Sequence, residues 1–337
     1  MLKQSVFTLA RVSGLNTWLR ARSRSAFRIV TYHGVDEQDH PVVNFDRLQV
    51  KPDLFARQVA SLARTYRIVP LGEAVAGFLA GRSWPDRGLA ITFDDGYRNN
   101  LEVAAPILQR LGVPATFFVT AGFVEGRARP WWYDLREIIA QAPGTELLLP
   151  GEPVRDLRTP SARRSCCRML EWAWAGLPED DRQRRMRNLS EICQVAEPPL
   201  RYTFLSREEV GQLAGQGFEL GPHGDTHCSL RAETAARVAH EIATSTAFIR
   251  SVTGREPKCL AWPYGHLPAT RMLAEQSLVR AGLAAAVSVA TGFNNLKVDP
   301  VALRRWDLHG GYSVAAVQAR LSGFSSWGRP DEFAFSS

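Results

Sequence analysis

The feature that most constrains the fold is a repeated rhythm of short apolar runs and amphipathic segments. FRIVTYHGV (27–35), YRIVPL (66–71), GLAITF (88–93), PATFFVT (114–120), FELGPH (218–223), CLAWPY (259–264), AAAVSV (284–289) and ALRRWDLH (302–309) read as strands. Continuous rather than alternating apolarity is the signature of parallel strands covered on both faces. Between them, PDLFARQVASLARTY (52–66), NLEVAAPILQRLG (100–112), SREEVGQLAGQG (206–217) and ETAARVAHEIATSTAFIRSVTG (233–254) have helical periodicity, and Ser206 with Glu209 has the form of a capping box. This pattern predicts an α/β fold, a distorted parallel (β/α)7-8 barrel. One stretch breaks it. Residues 125–200, with WWYDLREIIAQ, SARRSCCRMLEWAWAG and PEDDRQRRMRNLSEICQ, read as an α-helical insertion that is either a cap over one face or a packing elaboration. The expected organisation is an N-terminal arm (1–26), a barrel (27–312) carrying the insertion at about 125–200, and a C-terminal helix and tail (313–337).

A chain of 337 residues with 45% hydrophobic and 22% charged residues can bury a substantial core, which excludes wholesale disorder. The net charge of +7 points first to anionic partners, but residues 1–28 hold Lys3, Arg11, Arg20, Arg22, Arg24 and Arg28 and no acid. With the surplus terminal and no recognition motif present, nucleic-acid binding is not expected. The arm also spaces Leu2, Val6, Phe7, Ala10, Leu15, Trp18 and Leu19 at roughly helical intervals. It reads either as an interfacial helix making peripheral membrane contact or as a helix packed on the domain. It lacks a signal peptide's apolar core, and no stretch is apolar enough to span a bilayer, so the expected location is the cytoplasm, at the inner membrane face. Five cysteines (166, 167, 193, 228, 259) without a CxxC argue against a disulfide framework or a cysteine zinc site.

In a parallel barrel, functional groups gather where strands end. Those ends carry His33, Asp94, Asp95, His223, Tyr264 and His309. Asp94 and Asp95 pose an electrostatic problem, because adjacent anions leaving a buried strand need a compensating cation. In GPHGDTH (221–227), His223 and His227 are spaced so that a helical turn or tight loop can aim both imidazoles at one point. Two imidazoles and a carboxylate are a familiar divalent-metal set with open positions. Asp95 can ligate while Asp94 remains free as a base. Asp-Asp-Gly alone is also a good turn, and His-x-x-x-His alone is common on a helix face; together, after strands, they favour a metal site. The arginines of 161–187 read as a solvated helical face, Trp131, Trp132 and Tyr133 as packing, and Cys228 as a small buried residue.

TFDDG (92–96), HGDTH (223–227) and WPYG (262–265), in that order on an α/β repeat, resemble the polysaccharide deacetylase family with its NodB homology domain, over residues 27 to 310 apart from much of the insertion. The resemblance implies a metal-dependent carbohydrate N-deacetylase acting on an N-acetylated glycan or its precursor. Asp94 would be the general base and Asp95, His223 and His227 the ligands. Zinc is the first choice of metal, with cobalt, nickel or manganese as alternatives. Trp262, Pro263 and Tyr264 would lie beside the substrate, the Tyr264 amide helping to hold the oxyanion. The general acid would be His309, near the domain's end, or His33. IVTYHGV resembles the first strand of the circularly permuted exopolysaccharide deacetylase branch, and His33 is favoured because an imidazole titrates near neutrality. Two positions depart from the family pattern. Gly224 replaces a Ser/Thr, leaving Asp225 or Thr226 to support the loop; Ala261 replaces an arginine that orients the base, leaving Arg304 or Arg305 to substitute. The alternative is an amidase or deformylase acting on a lipid-linked amino sugar or another non-polymeric N-acyl substrate.

Overall fold

The computed structural model describes residues 15–38, 43–196 and 198–323. Most of the N-terminal arm and the tail after 323 lie outside the described residues.

Each of the eight apolar runs contains a strand: β1 (Arg28–Tyr32), β2 (Arg67–Ile68), β3 (Gly88–Phe93), β4 (Thr116–Val119), β5 (Glu219–Pro222), β6 (Cys259–Ala261), β7 (Ala285–Val287) and β8 (Trp306–Asp307). Their pairings are all parallel, in the order β8-β1-β3-β4-β5, with β2 also on β3, and β6 on β7. A bridge from Val287 to Leu303 links β7 to the segment before β8. The ring is a distorted parallel barrel, interrupted between β5 and β6, which pack on one another without a ladder.

Helices follow the strands: α1 (Leu15–Arg22), α2 (Pro52–Thr65), α3 (Leu71–Leu79), α4 (Ala105–Arg110), α5 (Trp131–Gln141), α6 (Pro160–Trp174), α7 (Glu179–Cys193), α8 (Arg207–Gly215), α9 (Ala235–Thr253), α10 (Arg271–Ala281) and α11 (Val314–Ser322). α2 starts on a proline, tolerated where the N–H would be unpaired, and buries Phe55, Val59 and Leu62 at helical spacing. Ser206 and Glu209 form the reciprocal capping box that opens α8. No described helix is long and apolar enough to cross a membrane.

Alternation along the strands positions the site. Outward residues Tyr32, Phe93 and Phe117 stack in series, with centroids 5.6 and 4.7 Å apart, beneath α2 and α8. Inward residues Phe27, Ile29, Ala90, Phe118, Ala261, Val287 and Leu303 fill the barrel floor. The register Tyr32↔Phe93, Thr31↔Asp307 and Val119↔Pro222 then sets the next inward positions level: Thr31, His33, Thr92, Asp94, His223, Arg305 and Asp307. The interior is therefore apolar at one end and polar at the C-terminal end.

α5, α6 and α7 build a second core around Trp132, Ile138, Leu170, Trp174 and Leu189. The arginines on α6 and α7 are not uniformly solvated. Arg163 donates to the carbonyls of Ile139, Ala142 and Gly144, capping the end of α5, and Arg182 is buried.

Candidate metal centre and active site

Asp95, from the turn after β3, converges with His223 and His227, from the loop after β5. Asp95 Oδ1 lies 3.4 Å from His223 Nε2 and 3.3 Å from His227 Nε2, and all three side chains are buried. The donor set fits a divalent cation. His223 Nδ1 is 2.9 Å from the Ala261 carbonyl, to which only an N–H can donate, so Nε2 presents its lone pair toward Asp95. Asp95 Oδ1 is buried with no hydrogen-bond partner. Ligands about 2.1 Å from a tetrahedral centre stand about 3.4 Å apart, the spacing found here.

The backbone is strained where it presents these groups. Asp95 has φ 77° and His227 φ 59°, left-handed conformations uncommon outside glycine. The surroundings hold them. Glu241 of α9, wholly buried, accepts from the amides of Asp225 (2.7 Å) and Thr226 (2.8 Å) and from the Thr226 hydroxyl (2.7 Å). Arg127 clamps the Asp225 carboxylate with bonds of 3.0 and 2.8 Å. Gly224 has φ +77°, and a Cβ there would press on Pro263 and Glu241. The support missing at Gly224 thus comes partly from Thr226 but chiefly from Glu241, in the second turn of α9, which no local pattern marks.

Asp94 meets Arg305. Nη1 and Nη2 donate to Oδ1 and Oδ2, both at 2.7 Å, and Nη1 also reaches the Thr31 and Thr92 hydroxyls at 3.1 and 3.3 Å. Arg304 instead points away, donating to the Thr291 carbonyl at 3.3 Å. Parity explains the choice, since Arg305 shares the inward side of its segment with Asp307. Burial opposes the charge on Asp94, but Arg305, aided by His223 and His33, holds its carboxyl below the usual value. His223 is raised against its own burial by Asp94 and Asp95, whereas burial wins at His227 and pushes it down.

Asp94, Asp95, His223 and His227 line a cavity of about 670 Å³ together with His33, Asp307, His309, Tyr264 and residues of the insertion, among them Trp131, Trp132, Arg168 and Trp172. His33 sits beside the aspartate pair, its Nδ1 3.8 Å from Asp307 Oδ1. His309 is placed differently: its Nδ1 accepts from the Gly311 amide at 3.0 Å, its ring lies 4.1 Å from that of Tyr312, and burial pushes its imidazole down. Tyr264 reaches the cavity with φ 56°, its ring edge-on to His227 at 4.6 Å and its hydroxyl accepting from Trp131 Nε1 at 2.6 Å. Trp131 and Trp132 therefore belong to the cavity wall as well as the core. Pro263 is buried against the Gly224 loop. Trp262 is a correction: alternation turns it away from the cavity into the core behind β6, where it is fully buried and donates to the Val301 carbonyl at 2.8 Å. Cys228 is buried in that same core.

The polysaccharide deacetylase family profile matches residues 81–148 and 178–284, more than half of the chain. Among curated protein sequences, none matches. Solved structures share the fold, among them the following three. The Streptococcus pyogenes deacetylase PplD, in complex with acetate, is 15% identical over 87% of this chain and 96% of its own, with a TM-score of 0.58. IcaB from Ammonifex degensii is 16% identical over 89% and 97%, with a TM-score of 0.57. A de-N-acetylase from Aggregatibacter actinomycetemcomitans is 14% identical over 88% and 99%, with a TM-score of 0.54. The profile match spans both the Asp94–Asp95 turn and the His223–His227 loop, and this chain belongs to the polysaccharide deacetylase family of metal-dependent carbohydrate N-deacetylases.

Proposed function

We propose that the protein removes N-acetyl groups from amino sugars of a cell-surface polysaccharide or its precursor, using a divalent cation held by Asp95, His223 and His227. The observation that carries this reading is Asp94, clamped by Arg305, beside three converging ligand atoms in one cavity. The carboxylate-plus-two-imidazole set suits zinc best, with cobalt, nickel and manganese as substitutes. When bound, the cation supplies Lewis-acid polarisation of the acyl group and acidifies water.

The chain's own residues do the rest. Asp94, kept ionised by Arg305, takes a proton from the attacking water as general base. The Tyr264 amide donates to the tetrahedral oxyanion, a contact that counts most in a site closed to bulk water. His33 delivers a proton to the departing amine. Asp307 faces its Nδ1 and leaves Nε2 on the opposite ring edge for that transfer. His309 is the weaker candidate for acid, because its Nδ1 is engaged by Gly311 and burial disfavours its protonated form. The C–N bond breaks, giving acetate and a free amino sugar.

A second reading, hydrolysis of a lipid-linked or otherwise non-polymeric N-acyl substrate, is favoured by one observation. The insertion walls the cavity with Trp131, Trp132, Met169 and Trp172, more apolar surface than a single acetyl group needs. The test is acetate release from β-1,4- and β-1,6-linked N-acetylglucosamine oligomers and from a lipid-linked N-acetylhexosamine. Release from the oligomers supports the first reading, and release confined to the lipid-linked compound replaces it with the second.

A further inference from the structure

We infer that Trp131, backed by Arg182, is a positioning residue for the Tyr264 amide, so that the helical insertion completes the oxyanion site. The inference rests on the deacetylase reading above. Tyr264 is a non-glycine residue in the left-handed region, at φ 56°, a conformation that persists only where neighbours over-determine it. Backbone contacts fix the turn on one side. The Gly265 amide donates to the Trp262 carbonyl at 2.7 Å, and a Cβ at Gly265 would collide with Val289.

On the other side the restraint comes from the insertion. Trp131, the first residue of α5, donates its indole N–H to the Tyr264 hydroxyl at 2.6 Å. The Tyr264 ring is thereby held edge-on to His227 and, at 6.4 Å, to Trp132. Trp131 is itself trapped. The Arg182 guanidinium of α7 lies 5.1 Å from its ring centroid, buried, ion-paired with Glu179, and with Nε and Nη1 making no hydrogen bond. A buried guanidinium with spare N–H groups against an indole face gains from the ring's negative potential. The chain Arg182–Trp131–Tyr264 thus runs from the insertion to the backbone unit that would meet the oxyanion. The ring and the amide share the Tyr264 Cα, so holding the ring restrains the turn that aims the amide, and the hydrogen bond acts on the transition state more than on the ground-state substrate.

The test is a double-mutant cycle with Trp131→Phe and Tyr264→Phe. Each single variant is expected to lower kcat about tenfold with KM within about twofold, and the double variant to fall no further than either single one. Melting temperature and bound metal should match the wild type. Additive losses, an unchanged kcat in Trp131→Phe, or a rise in KM alone would overturn the inference while leaving the deacetylase reading intact. Should the wild type itself release no acetate, that reading fails instead. The inference is then decided by a crystal structure of Trp131→Phe, in which Tyr264 at an unchanged left-handed φ overturns it and a relaxed turn sustains it.

Discussion

Arg305 and Asp94 form a two-pronged pair, both bonds 2.7 Å long, across the inward faces of β3 and the segment leading into β8. Arg305 is 0% exposed. The pair orients the proposed base and keeps it charged. Replacing Arg305 with Gln leaves burial as the dominant influence on Asp94, so its carboxyl rises and the acid limb of the pH–rate profile moves to higher pH. Activity at neutral pH should fall about 10²-fold. Stability should drop by about 3–5 kcal/mol, because a buried anion has lost its partner. The sign is set by the depressed folded value of Asp94. Its contribution to stability is full above the unfolded carboxylate value and disappears as pH falls through the folded one. Denaturant titrations from neutral pH downward should show this dependence in the wild type and lose it in the variant.

Glu241 gathers the His223–His227 loop from beneath without touching the ligand atoms. Glu241→Gln keeps the size and can keep an oxygen on the two backbone amides, but it loses the charge and turns a donor toward Arg237 Nε, which can only donate. Metal affinity, measured by competition with a chromogenic chelator, should weaken about tenfold or more. An unchanged affinity would show that the left-handed His227 is held by other contacts.

His33 and His309 are separable by kinetics. His33→Ala should lose about 10²- to 10⁴-fold in kcat, while His309→Ala should change kcat far less. Asp307→Asn should produce an intermediate loss, since the carboxylate faces His33 without a direct hydrogen bond. The reverse order of effects would exchange the two roles.

Arg136 ties the insertion to the barrel loops. It donates to Glu171 at 2.6 and 2.9 Å, to Asp46 at 2.7 Å and to the Val43 carbonyl at 2.6 Å, all close to the cavity wall. Arg136→Met removes the cation and strands two carboxylates. Unfolding in denaturant should show a loss of about 3–5 kcal/mol.

The barrel was legible because its information is local. Continuous apolar runs such as GLAITF mark parallel strands, and the polar residues ending them mark one rim of the barrel. Asp94, Asp95, His223 and His227 were legible for the same reason, each lying within a few residues of a strand end. Glu241, Trp131 and Asp307 were not, because their partners are brought to them by packing across long stretches of chain. Arg305 was half legible. The need for a cation near Asp94 could be stated, and counting alternate positions back from Asp307 would have separated it from Arg304. Trp262 was misplaced by adjacency to Pro263 and Tyr264, where alternation along β6 sends it to the opposite face.

The most direct test of the metal-dependent chemistry is paired measurement of bound metal and acetate release in the wild type, after chelation, after zinc is restored, and in His223→Ala and Asp94→Asn. Stoichiometric metal and activity should disappear together on chelation and return together with zinc. His223→Ala should bind metal poorly, and Asp94→Asn should hold metal but release no acetate. Acetate release that persists in metal-free protein, or a wild type that binds no divalent cation, would contradict the metal-dependent chemistry.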